Sequence, residues 1–255
     1  MTRRSKLRVI IALPIVVLSS GCTLGSHQKG SASVSDTSEI PVDCVSRHVK
    51  EAIELNTQRE PLYARVSNNR SLAVSQELMK MERKMLRSLP LLELPAQLYQ
   101  KKGIPILCLD VVSMRDTPAF IERLDPPEVP RVPFNGLNLS LELMALRLRG
   151  DQKGVEEKLQ AALEVLNKGQ RFNCLARHFV ESILRSVRLA PHYRSMSRER
   201  GMMEPNLIIG TYINSQIETL GAASELDSMA APLQAEGIPI ICNDVPAIPV
   251  DVNIP

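Results

Sequence analysis

The sequence predicts a mostly α-helical protein: a tandem duplication of a small disulfide-stapled helical unit, with a Pro-rich connector and two bridging helices. Three observations carry that expectation. "GIPILCLDV" (Gly103–Val111) returns as "GIPIICNDV" (Gly237–Val245), with seven of nine residues identical. Upstream, "DCVSRH" (Asp43–His48) returns as "NCLARH" (Asn173–His178). Between these landmarks, apolar residues recur at the three- and four-residue spacing of a helix with one buried face. Ordered landmarks repeated over about 70 residues indicate internal repetition. Cys44 to Cys108 spans 64 positions and Cys174 to Cys242 spans 68, so the second copy holds about one extra helical turn.

The chain opens "MTRRSKLRVIIALPIVVLSSGC". Arg3, Arg4, Lys6 and Arg8 form a basic head before an apolar run from Val9 to Leu18. A run of about ten residues is half of what spans a bilayer, but it suits the apolar core of an export signal. Ser20 and Gly21 then precede Cys22, with Ser19 where leucine is commonest. The segment resembles the signal and lipobox of bacterial lipoproteins, a likeness confined to about the first 22 residues. It implies a signal peptide over 1–21, cleaved before Cys22, and a lipid (diacylglyceryl, with chains such as palmitate) on that thiol. Thr23, rather than aspartate, then implies the outer membrane, with the body facing the periplasm.

Residues 22–42 follow as a flexible tether, rich in Ser and Gly and too poor in apolar side chains to fold. Export also removes the chain's basicity. Of 31 basic residues four precede Cys22, which leaves 27 against 28 acidic ones. Such a body has no electrostatic case for nucleic acid, whose binding needs phosphates neutralised. With no Trp and eight aromatic residues, the core must be aliphatic and Met-rich.

The first repeat unit is expected over 43–115 and the second, with an extended tail, over 170–255. In each, Asp43 or Asn173 is placed to cap a first helix. Cys44, Val45, His48, Val49 and Ala52 share one face of it, as do Cys174, Leu175, His178, Phe179 and Ile183. Pro61 and Pro191 are expected to stop these helices, with Tyr63 and Tyr193 in step as packing residues. A second helix carries Leu72, Leu78, Met81, Met85 and Leu89, matched by Leu207, Ile208, Tyr212, Ile213, Ile217 and Leu220 after Pro205. A shorter third helix should end at Gly103 or Gly237. "IPILC", "IPIIC" and the tail "VPAIPVDVNIP" read as extended. Between the units, 116–169 holds the connector and the two bridging helices, "LNLSLELMALRLRG" and "VEEKLQAALEVLNKG".

Four cysteines remain after Cys22. An even count outside the inner membrane reads as disulfides, and duplication favours Cys44–Cys108 with Cys174–Cys242. Closing such a loop stabilises by about 4 kcal/mol at the upper end of the chain-entropy argument. Two sharper readings stand beside it. Cys and His four apart on a helix could ligate a metal with a distant Cys, and a first-turn thiol could be reactive; both require reduced thiols. Arg47, His48, Arg177 and His178 recur together and form a candidate interaction surface. HExxH, GxSxG, P-loop and GxGxxG patterns do not occur, and the bare SxxK of "SHQK" falls in the tether. The expectation is a lipid-anchored, non-enzymatic envelope protein without a cofactor, acting as a structural or protein-interaction module, with another envelope protein as partner. The alternative is a periplasmic binder of a metal or small ligand through the Cys/Arg/His cluster.

Overall fold

The computed structural model describes residues 44–66, 70–93, 133–168, 173–199 and 204–235, all within one compact unit, Glu39–Pro255. Every regular element among them is helical: α1 (Cys44–Val66), α2 (Arg70–Leu86), α3 (89–93), α4 (Gly136–Leu148), α5 (Gln152–Lys168), α6 (Cys174–Glu199) and α7 (Glu204–Ala235). The expected extended segments, the Pro-rich connector, the signal and the tether lie outside the described residues.

α7 is the hub. It packs along α6 and against α2 and α4, while α1 lies on α2, and α5 lies on α6 and α4. The core is aliphatic, as the composition requires: Leu78, Leu143, Leu159, Ile183, Ile217 and Leu226 have no exposed area. Each such side chain contributes about 1.5–3 kcal/mol relative to leaving it in water. The α5 stripe Val155, Leu159, Ala162, Leu163 and Leu166 follows the helical spacing and is buried throughout. Tyr63 and Tyr193 are buried to 2% and 1% exposure.

The two bridging helices form where the periodicity placed them. Gly150 ends α4 with φ 72, a conformation that side chains other than glycine resist. Its amide returns to Arg147 O, and that of Asp151 to Leu146 O. Asp151 then starts α5, accepting from Gly154 N at 2.9 Å. α4 runs antiparallel to α7: Gly136 N donates to Ser224 Oγ, Ser140 Oγ to Ile217 O, and Arg147 Nη2 to Gly210 O.

Two expectations are corrected. Pro61 and Pro191 do not stop their helices; they sit inside α1 and α6. A helical proline removes the hydrogen bond to the carbonyl four residues back. At Pro191 that carbonyl is Val187 O, and Gln152 Nε2 donates to it at 3.3 Å instead. At Pro61 it belongs to Thr57, which is exposed, so water can take it.

The second unit has no separate third helix before Ala235, because α7 runs unbroken for 32 residues. In the first unit the ring of Pro90 opposes the carbonyl of Leu86, where α2 ends and a turn at 87–88 leads into α3. The matching position in α7 is Ser224, which leaves the ladder intact. At the starts of α1 and α6, where Asp43 lies outside the described residues, amides are also taken by distant carboxylates. Ser46 N donates to Glu93 at 2.8 Å, and Leu175 N and Ala176 N donate to Asp227 at 3.3 and 2.9 Å. Anionic groups are favoured at a helix N-terminus by the exposed amides and the helix dipole.

Candidate functional site

The first face of α1 and that of α6 meet at one pair of residues. His48 and His178 stack with ring centroids 5.0 Å apart and planes at 27°. Their Nε2 atoms are 3.1 Å apart, so one ring donates and the other accepts. When both rings are neutral, the two histidines therefore hold different tautomers. Two imidazolium rings would set N–H against N–H, so the contact accommodates one shared proton and no more. Both rings are 8% exposed, which puts them between the helix pairs rather than on an outer surface. The reason is their place on the apolar face, one turn from Val45 or Leu175 and beside Val49 or Phe179.

Arg47 and Arg177 lie on the flanks of those faces. Arg47 pairs with Glu51 at 3.9 Å and Arg177 with Glu181 at 3.6 Å, both one helical turn on. The Arg47 side chain is 43% exposed and that of Arg177 15%. Of the expected Arg/His surface, only Arg47 is open to solvent.

Below the histidines the helix pairs enclose a cavity of about 590 Å³, counting space open to solvent. His48, His178, Asn56, Glu82, Ser182, Tyr212 and Gln216 line it among aliphatic walls that include Val49, Met85 and Leu175. Glu82 is 5% exposed and accepts from Asn56 Nδ2 at 3.2 Å. Burial pushes its carboxyl up to about 8, against the lowering effects of the Asn56 bond and of Arg83. At neutral pH it is therefore mostly protonated and can donate. Burial likewise raises Tyr212 to about 12, so its phenol keeps its proton. Asn56 Oδ1 is buried with no hydrogen-bond partner among the described residues. Across the cavity Gln216 bonds to Ser182 and faces Ser186 at 3.2 Å.

The same contacts occur twice. Asn56 meets Glu82 in the first helix pair, and Ser186 meets Gln216 in the second. Ser46 meets Glu93, and Ala176 meets Asp227. Positions on α1 and α6 differ by 130, like His48 and His178. Those on α2–α3 and α7 differ by 134, the offset of Cys108 and Cys242. Reading motifs alone missed Glu82, Gln216, Glu93 and Asp227. An acid 15 residues before each late cysteine was the available signal for the last two.

Cys174 is 2% exposed and has its sulfur 3.9 Å from Asp227 Oδ1. No disulfide has both sulfurs among the described residues; Cys22, Cys108 and Cys242 lie outside them, as does the Cys44 side chain. Among the described residues no three His, Cys, Asp or Glu gather as a metal would need. No described helix is long and apolar enough to cross a membrane.

These features define an all-helical bundle with a polar-floored cavity between two similar helix pairs. Compared with known protein families, curated proteins and solved structures, the chain matches none.

Proposed function

We propose that the chain is a lipid-anchored, non-enzymatic cell-envelope protein whose helical body is a structural or protein-interaction module. The export signal and the lipobox-like "SSGC" support lipidation of Cys22, residence in the outer membrane and a body held in the periplasm by the 22–42 tether. The observation that carries the interaction reading is a row of exposed leucines. Leu137, Leu141 and Leu148 are 60%, 62% and 87% exposed and fall on one face of α4. Leu207, 73% exposed, lies at the same end of the α4–α7 pair as Leu148. Exposed large apolar side chains gathered on one helix face mark a contact site. Its partner is another envelope protein that presents an apolar face.

The body is read as a duplicated unit, stapled by Cys44–Cys108 and Cys174–Cys242. Support comes from the contacts that recur at offsets of 130 and 134 and from the paired spacing of the cysteines.

One observation favours a second reading, a small-ligand binder. The His48–His178 cavity offers an acceptor at Asn56 Oδ1 and a protonated donor at Glu82. That set suits a small neutral polar molecule better than a metal cation.

Crosslinking in intact envelopes tests the first reading. Leu141→Asp with Leu148→Asp should abolish a specific crosslinked species that the parent protein forms, while lipid labelling and the melt stay unchanged. A fatty-acid label lost in Cys22→Ala supports the anchor, and label retained there overturns it. Persistence of the crosslink in the leucine double variant would shift the assignment to the cavity.

A further inference from the structure

A second cavity, of about 500 Å³ counting space open to solvent, lies where α4, α5, α6 and α7 converge. Arg147 and Arg194 line it with Gln152 and the aliphatic side chains of Val155, Val187 and Ile213. Arg147 is oriented by neutral acceptors: Nε donates to Asn214 Oδ1 at 2.6 Å and Nη2 to Gly210 O at 3.2 Å. Neither arginine has a carboxylate partner among the described residues. The acids nearest to Arg147 in sequence are engaged locally: Asp151 accepts from Gly154 N, and Glu142 pairs with Lys158 at 2.7 Å.

The fold thus brings half-buried Arg147 and exposed Arg194 to one cavity, with no counter-ion for either among the described residues. Burial lowers the Arg147 pKa, and the charge of Arg194 lowers it further. An anion would reverse both effects. Guanidinium groups are suited to it, because their planar fork matches carboxylate and phosphate oxygens. One wall owes its character to Pro191. Because Val187 O is held by the Gln152 amide rather than by a backbone donor, that side chain is committed to shaping the cavity.

We propose that this cavity binds a small organic anion, a carboxylate or phosphate group carried on a short aliphatic body. The head meets Arg147 and Arg194, and the body lies on Val155, Val187 and Ile213. The site is separate from the leucine row and from the histidine cavity, so it stands or falls independently of the proposed function.

Titration calorimetry on the full-length chain tests it, with octanoate and inorganic phosphate as probes at matched ionic strength and octanol as the uncharged control. Saturable binding of either anion is expected, and it should weaken at least about tenfold in Arg194→Gln, the loss of one charged hydrogen bond. Arg194 is exposed, so its unliganded melt should not change, and Arg194→Lys should restore part of the affinity. Tighter octanoate assigns a carboxylate on an aliphatic body; tighter phosphate assigns a phosphate ester. Absence of saturable binding, equal binding of octanol, or undiminished affinity in Arg194→Gln overturns the proposal.

Discussion

Glu82 shows how one buried group ties local packing to solution behaviour. Its carboxyl lies between α1 and α2 with Asn56 as its hydrogen-bond partner, and burial holds it near 8 against about 4.5 when the chain is unfolded. Across that window the folded chain binds more protons than the unfolded one, so stability falls as pH rises from about 4.5 to about 8. The slope attributable to Glu82 is at most about 1.4 kcal/mol per pH unit. Glu82→Gln keeps the shape and removes the titration. The variant should match the parent at pH 4 and exceed it by up to about 5 kcal/mol at pH 9, read from urea midpoints. Parallel stability curves for the two proteins would show that Glu82 is ionised without penalty. His48 and His178 act at the same scale: with Nε2 atoms at 3.1 Å one ring must donate and the other accept, which no reading of either residue alone reveals.

At the scale of elements, backbone chemistry separates the two similar helix pairs. Pro90 breaks the first where Ser224 lets the second continue, and Ser224 is then free to seat α4. Its hydroxyl accepts from Gly136 N at 3.0 Å and lies 3.3 Å from Phe134 O. Gly136 is the point of closest approach. A Cβ there would lie 2.8 Å from Leu220 O, a backbone atom of α7 that cannot turn away. Gly136→Ala should therefore destabilise by about 2 kcal/mol, despite alanine's better helix propensity. Gly221→Ala is the matched control, because its Cβ would meet Leu137 Cδ1 at 3.5 Å, an ordinary contact. That variant should be neutral or more stable by up to about 1 kcal/mol. Thermal melts of the pair check both signs; equal melts would mean that α4 moves freely on α7.

For the whole molecule, the described helices share one compact unit in which α2 packs on α7 and His48 touches His178. The two helix pairs are therefore mutually buried, and neither is a bead on a string. If each arose from one ancestral unit, each should keep its own staple. Peptide mapping without reduction should link Cys174 to Cys242 and Cys44 to Cys108. A Cys44–Cys174 or Cys108–Cys242 link would show cross-pairing between the copies. Reducing a correctly paired protein should lower its stability by about 4 kcal/mol per bond at most.

Helix content, the apolar faces of α1, α5 and α6, the two bridging helices and the Gly150 boundary were legible in the sequence. Periodicity and glycine are local signals, and a 3.6-residue repeat already states which face must be buried. The repeated "CxxRH" drew attention to His48 and His178, but not to the stacking of one ring on the other. Burial of both histidines against each other, capping by Glu93 and Asp227, and rescue of Val187 O by Gln152 join residues 35 to 130 positions apart. No local pattern encodes such pairings. Proline was misread for the same reason: whether its missing hydrogen bond ends a helix depends on whether water or a distant side chain can satisfy the carbonyl it leaves. Helical spacing of apolar residues is enough to require amphipathic helices that share a core. The tertiary structure alone decided which polar groups that core encloses, because enclosing them requires partners that only packing supplies.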